Sequence, residues 1–245
     1  MPMIVRSIAF NVLFYLNTLI YLIVALPTFF LPYRAIIRVA QSWARTNLVL
    51  LRVAGIDYEV RGRDKIPQGP LLIAAKHQSA WETFALLTLF DNPVFVIKRE
   101  LQWIPIFGWL TIKGRMVPID RSKGTKALAA MTERARIELA DNRQLIIFPE
   151  GTRRPAGAEP RYKHGVAHLY VAEGVPCIPI ALNSGLFWPR RSIRRIPGTV
   201  VVEILDPIQP GLDKDEFFER LQDAVETTTA RLIEQGRREI AGRSG

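Results

Sequence analysis

His77 and Glu82 stand five positions apart just after the apolar run 71–75, and Glu150 and Arg153 follow a second apolar run, 145–148. An apolar run that breaks into a loop reads as a buried strand whose tip presents side chains, because a rigid sheet positions them and the loop gives them access. A histidine titrates near working pH and takes a proton from a hydroxyl. A carboxylate on its second ring nitrogen holds the ring and stabilises the cation that forms. Arg153 offers a planar fork that grips two oxygens of an anion at once. Positions i and i+5 point well apart on a straight helix, so His77 and Glu82 meet only if His77 lies in the loop and Glu82 in the first helical turn, with Ser79 placed to cap it. A capped helix start and an ordinary Pro-Gly turn would each account for one segment alone; the two together point to one shared site. No Gly-x-Ser-x-Gly elbow for a serine nucleophile is present.

His77-x-x-x-x-Glu82 with Phe148-Pro149-Glu150-Gly151-Thr152-Arg153 resembles the glycerolipid acyltransferase family, within it the bacterial branch that acylates 1-acylglycerol 3-phosphate. Lys98-Arg99-Glu100-Leu101 with Ile104-Pro105-Ile106-Phe107-Gly108, continued by Gly114 and Ile119-Asp120-Arg121, is similar to the family's second block, and residues 175–180 to its fourth. The blocks keep family order across residues 76–180. The resemblance implies transfer of an acyl group from acyl-CoA or an acyl-carrier protein to the 2-hydroxyl of lysophosphatidic acid, giving phosphatidic acid, with no other cofactor. It also implies His77 as base with Glu82 behind it, and Lys98, Arg121, Glu150, Gly151, Thr152 and Arg153 as substrate-binding residues. Arg153 and Lys98 are expected on the phosphate, with Arg121 assisting. Glu150 would repel a phosphate and is expected on a glycerol hydroxyl or on Arg153. Gly151 serves either the turn's backbone conformation or, through its N–H, a developing oxyanion. Two positions depart from the family: glutamate stands for aspartate at 82, and Lys76 for asparagine. Lys76 is expected to point to solvent, its alternative being a cation beside the site. Other readings of the residues are a different lyso-lipid acceptor, an inactive membrane lipid-binding protein, or an esterase using water.

Those residues need a scaffold and a place to work. Apolar runs at 71–75, 94–97, 116–119, 145–148, 178–182 and 200–205 alternate with helical stretches at 81–90, 123–140 and 165–173. This pattern argues an α/β fold whose mixed, largely parallel sheet is covered by helices. A charged amphipathic helix is expected over 213–239. Residues 7–33 carry no charge and are flanked by Arg6 and Arg34. That length crosses a bilayer once, yet Asn11, Asn17 and Thr18 interrupt it and Pro27 and Pro32 break its end; a signal peptide fits less well, since no Ala-x-Ala site follows. Single span and in-plane hairpin both remain open on the residues; the family resemblance implies the hairpin. The division expected is 1–54 as membrane-anchoring helices, with 36–54 the second, and 55–245 as the acyltransferase domain. Arginines beyond residue 33 place that domain at the cytoplasmic face of the inner membrane.

Lys and Arg exceed Asp and Glu by 33 to 23, which favours anionic partners, membrane phospholipid above all. Arg190, Arg191, Arg194 and Arg195 beside Trp188 form a basic cluster suited to headgroups, a CoA phosphate or an acidic carrier; no recognition motif for nucleic acid accompanies it. Cys177 is the only cysteine, so an internal disulfide and a cysteine metal cluster are excluded. His164 and His168 can share a helix face, but no third metal ligand is apparent in the sequence.

Overall fold

The computed structural model describes residues 2–120 and 124–244; Arg121, named above for the phosphate, lies outside them. Two helices come first, α1 (Met3–Ala25) and α2 (Tyr33–Ala54), joined by a turn of 3-10 helix over Leu26–Phe30. Pro32 precedes α2, and Gly55 closes it in the left-handed conformation at φ 78°, which glycine adopts without a Cβ clash. The sheet strands are β1 (Ile56–Arg61), β2 (Leu71–Ala75), β3 (Pro93–Lys98), β4 (Val117–Ile119), β5 (Gln144–Ile147), β6 (Cys177–Leu182) and β7 (Gly198–Ile204). Between and after them lie α3 (Trp81–Ala85), α4 (Phe107–Lys113), α5 (Gly124–Ala140), α6 (Gly165–Glu173), α7 (Ser184–Phe187) and α8 (Lys214–Ser244).

The sheet order is β1-β7-β6-β2-β5-β3-β4. Among the described residues five strand pairs are parallel and one, β6 with β7, is antiparallel. β2 is buried on both faces, so side chains alternate between two cores. Leu71, Ile73 and Ala75 face a core shared with Phe10, Ala44, Leu48 and Leu51 of the helical hairpin. Leu72 and Ala74 face another, filled from α5, α6 and α8 by Met131, Ala135, Leu169 and Phe217. The N-terminal hairpin therefore packs on the same sheet that carries the site. Gln41 of α2 adds a clamp, donating to the carbonyls of Leu87 and Phe90 beyond α3 at 3.2 and 2.9 Å.

The residues that interrupt the apolar run of α1 all have partners. Asn11 Nδ2 donates to the Ile193 carbonyl at 2.8 Å and Asn17 Nδ2 to Asn47 Oδ1 at 3.1 Å, while Thr18 accepts from Trp43 Nε1 at 3.1 Å. Here the basic cluster differs from its sequence reading. Arg195 is only 5 % exposed and is not a headgroup contact. Its guanidinium lies 4.1 Å from the Trp188 ring centroid and donates to Asn11 Oδ1 at 2.7 Å, and its N–H meets Ser7 Oγ at 2.9 Å. Burial lowers its pKa to about 10, still cationic at neutral pH. Arg195→Ala removes the charge-assisted bond and the ring contact that pin α1 to the domain. Such a loss costs about 2–3 kcal/mol. The thermal midpoint is expected to fall by about 4–12 °C, read by thermal denaturation of the detergent-solubilised protein; an unchanged midpoint would remove Arg195 from the anchor.

Candidate active site

Parallel strands bring their carboxyl ends to one edge, which is where open α/β sheets hold ligands. His77 follows β2, Glu150 follows β5, Lys98 ends β3, and Ser184 follows β6. These four strands are neighbours in register, with Ile73 beside both Ile146 and Ile178, and Ile146 beside Phe95. Motifs distant in sequence thus meet because the topology stacks their strand ends side by side.

His77 lies in the loop and Glu82 in the first turn of α3. His77 Nδ1 sits 2.9 Å from Glu82 Oε1, and the imidazole stacks on Phe148 with centroids 4.0 Å apart. Glu82 is fully buried and well satisfied. It accepts from the N–H groups of Gln78 and Ser79 at 2.6 and 2.7 Å, from Ser79 Oγ at 3.0 Å and from Ser184 Oγ at 2.7 Å. Ser79 Oγ in turn accepts the Trp81 N–H at 2.9 Å. Glu82 thus closes the start of α3 back onto the Ser79 N–H, half of a capping box, while the Ser79 hydroxyl takes the Trp81 N–H instead of that of Glu82. The plain reading of this segment, a capped helix start, and the chemical one are both realised by a single carboxylate. Burial pushes the Glu82 carboxyl up, but the His77 imidazole, the Ser184 hydroxyl and the Ser79 N–H outweigh it and hold the group below its ordinary value. Its stabilising effect is therefore present at neutral pH and lost as pH falls through that depressed value. With Glu82 ionised, Nδ1–H donates to it and Nε2 is left with a free lone pair, able to take a proton.

The second segment holds the loop from the other side. Glu150 is buried, and its Oε2 accepts the His77 N–H at 2.9 Å, while the Arg154 N–H donates to the His77 carbonyl at 2.8 Å. Among the described residues Glu150 does not contact Arg153, one of its two expected partners; its place is against the histidine's own peptide. Gly151 has φ 66°, and its N–H closes the turn onto the Phe148 carbonyl at 2.8 Å. The turn thus uses both the left-handed conformation of the glycine and its N–H. Thr152, Arg153 and Lys98 are exposed, and among the described residues the Arg153 guanidinium meets no partner.

Lys76 is the clearest departure. A lysine at a strand end ordinarily reaches solvent, yet Lys76 is 2 % exposed. Its Nζ lies 2.7 and 2.9 Å from the Glu226 carboxylate of α8 and 3.0 Å from Glu150 Oε1. The approach to Glu150 is an ion pair without the alignment of a directed hydrogen bond. Two residues here carried no sequence signal. Ser184 is one serine among several, and Glu226 is one acid on a charged helix.

A histidine–carboxylate pair and an exposed arginine at the strand ends of a largely parallel sheet suit acyl transfer to a hydroxyl. The chain belongs to the acyltransferase family, whose model matches residues 57–183, just over half of it. It is 43 % identical over 176 residues to the 1-acyl-sn-glycerol-3-phosphate acyltransferase of Pseudomonas aeruginosa, covering 71 % of this chain and 68 % of that one. It is 33 % identical over 167 residues to the alpha form of that enzyme from Mus musculus, 66 % of this chain and 59 % of the mouse protein. The fold matches the crystal structure of the 1-acyl-sn-glycerophosphate (LPA) acyltransferase of Thermotoga maritima. The TM-score is 0.79 over 94 % of this chain and 98 % of that one, at 22 % identity.

Proposed function

We propose that this protein transfers an acyl group from a CoA or carrier-protein thioester to the 2-hydroxyl of 1-acylglycerol 3-phosphate, producing phosphatidic acid. The observation that carries this reading is the His77 Nδ1–Glu82 contact of 2.9 Å, which leaves Nε2 at the same edge as the exposed Arg153. Nε2 takes the hydroxyl proton as the acceptor oxygen attacks the thioester carbonyl. The tetrahedral oxyanion collapses and expels the thiolate, and the imidazolium returns the proton to sulfur, so an ester and a free thiol leave the site. Glu82 stabilises the imidazolium while it lasts. Arg153 and Lys98 bind the phosphate. The relatives of this family named above carry the same acceptor in their names, which supports the choice of a phosphate-bearing lyso-lipid.

The acceptor is membrane-resident, and the hairpin suits a position within one leaflet. Ile8, Val12, Tyr15, Leu19 and Ile23 of α1 are exposed on one helical face. α1 and the turn after it are long and apolar enough to cross a bilayer, with mean hydropathy 2.0. Ser7, Asn11 and Phe14 are docked side-on against Arg195, Ile193 and Phe84, which favours the in-plane hairpin over a span. Arg34, Arg38, Arg45 and Arg52 are exposed on α2, and at 100° per residue they fall within about 40° of one another. This stripe is placed for headgroups beside the apolar face, with the catalytic domain on the cytoplasmic side.

The test is a panel of lyso-lipids with acyl-CoA and acyl-carrier donors, read together with Arg153→Ala. Turnover should be greatest with lysophosphatidic acid. The variant should raise the KM for that acceptor about 10- to 150-fold, the loss expected for a charge-assisted contact, and leave the donor KM unchanged because the contact lies away from the reacting hydroxyl. A rise confined to the donor would assign Arg153 to the thioester side. Preference for a lyso-lipid without phosphate would overturn the acceptor.

A further inference from the structure

We propose that Lys76, Glu226 and Tyr162 are positioning residues: Lys76 pairs with Glu150 and keeps it fixed on the His77 peptide, and Glu226 with Tyr162 holds the Lys76 ammonium in place, so that the C-terminal helix supports the catalytic loop. The proposal rests on the reading of His77 as the base. The His77 peptide is gripped at both ends, its N–H by Glu150 Oε2 at 2.9 Å and its carbonyl by the Arg154 N–H at 2.8 Å. The first grip is charge-assisted only while Glu150 is a carboxylate; burial works against that by raising its pKa, and the Glu226 charge adds to the rise. Lys76 Nζ, 3.0 Å from Oε1, supplies the opposing positive charge. The backbone of Lys76 is fixed by its N–H to the Ile180 carbonyl at 2.9 Å, which leaves the long side chain to be held at its far end. Glu226 does this with both oxygens, and Tyr162 O–H donates to Glu226 Oε1 at 2.8 Å. The Tyr162 ring lies 5.9 Å from the ammonium. The line of support therefore runs from α8 through Glu226, Lys76 and Glu150 to the histidine's N–H. A merely structural ion pair needs one carboxylate; this ammonium has two, and the second is bonded to the catalytic peptide.

The experiment compares full-length wild type with Lys76→Met, Glu226→Gln, Tyr162→Phe and the double variant Lys76→Met/Glu226→Gln. Turnover, both KM values, the thermal midpoint and hydrogen exchange of the peptide containing the His77 amide are measured on each. Lys76→Met should lower kcat about tenfold or more and Glu226→Gln about three- to tenfold, with both KM values within about twofold, since a misplaced base slows the step without weakening binding. Removing Lys76 leaves the Glu226 carboxylate without its counter-ion, so the double variant should regain thermal stability relative to Lys76→Met. It should not regain kcat, because Glu150 still lacks its cation. Exchange at the His77 amide should quicken in all four variants, least in Tyr162→Phe, whatever reaction the enzyme catalyses. Recovery of kcat together with stability in the double variant would reduce the cluster to a structural pair and overturn the proposal. So would wild-type kcat in Glu226→Gln, unchanged exchange, or a loss expressed only as a raised acceptor KM. If Lys76→Met does not fold, Glu226→Gln and the isosteric Tyr162→Phe carry the test alone. Turnover retained by His77→Ala would instead sink the base assignment and leave the exchange result standing.

Discussion

His77→Ala is expected to cut turnover by about 10²- to 10⁴-fold, the contribution of a positioned general base, while the protein stays folded. The imidazole side chain is 12 % exposed and lies in a loop, stacked on Phe148, so alanine removes a lid-like contact rather than a core side chain. The peptide of residue 77 keeps both of its grips, because Glu150 and the Arg154 N–H hold backbone and not side chain. The measurement is thiol release from the donor under saturating acceptor, with the thermal midpoint as control. More than a few per cent of wild-type turnover would exclude His77 as the base, and a large fall in the midpoint would show that the ring does more for the loop than its exposure suggests.

Parts of this site are readable before folding, and the dividing line is physical. His77 and Glu82 are five residues apart, so the geometry of one helical turn fixes whether they can meet. Glu150 and Arg153 announce themselves by following an apolar run. All six apolar runs are strands, and five of them lie inside the sheet, where residues buried on both faces must be apolar; the sixth, β4, is at an edge. β1 carries no such mark: Asp57, Tyr58 and Glu59 at the sheet edge are exposed, and one covered face leaves a weak pattern. The stretch 81–90 reads as one helix but is a short helix followed by 3-10 turn, Leu86–Thr88. The 3-10 helix Arg99–Trp103 and α4 lie between β3 and β4 and show exposed Trp103, Phe107 and Trp109, so burial gives no period to read there. Lys76 and Arg195 fail for another reason. Each is a cation whose burial depends on partners distant in the chain, Glu226 for one and Asn11 with Trp188 for the other. Their local sequence describes only the cost of burial, not the contacts that offset it.

Glu82 bears on the deepest part of the site, and replacing it separates chemistry from scaffold. Glu82→Gln puts an amide NH2 where two backbone N–H groups, two hydroxyls and the imidazole all offer protons, so at least one buried donor loses its acceptor. A neutral amide also cannot stabilise an imidazolium. Turnover should fall about 10³- to 10⁴-fold, by analogy with the neutral replacement of the orienting carboxylate in a serine-protease triad. Stability should fall by about 3 kcal/mol, as for breaking a buried charged network. Glu82→Asp keeps the charge but retracts it by about one carbon–carbon bond length, near 1.5 Å. The carboxylate cannot then hold 2.9 Å to His77, 2.6 and 2.7 Å to the loop N–H groups and 2.7 Å to Ser184 together. A loss of about 10- to 100-fold in kcat, with acceptor KM nearly unchanged, is the expected outcome, since misplacement of the base is a positional fault. Turnover and midpoint of the two variants are to be measured side by side. An aspartate variant equal to wild type would mean that the loop follows the carboxylate wherever it goes. A glutamine variant with more than a tenth of wild-type kcat would mean that the charge behind His77 is dispensable.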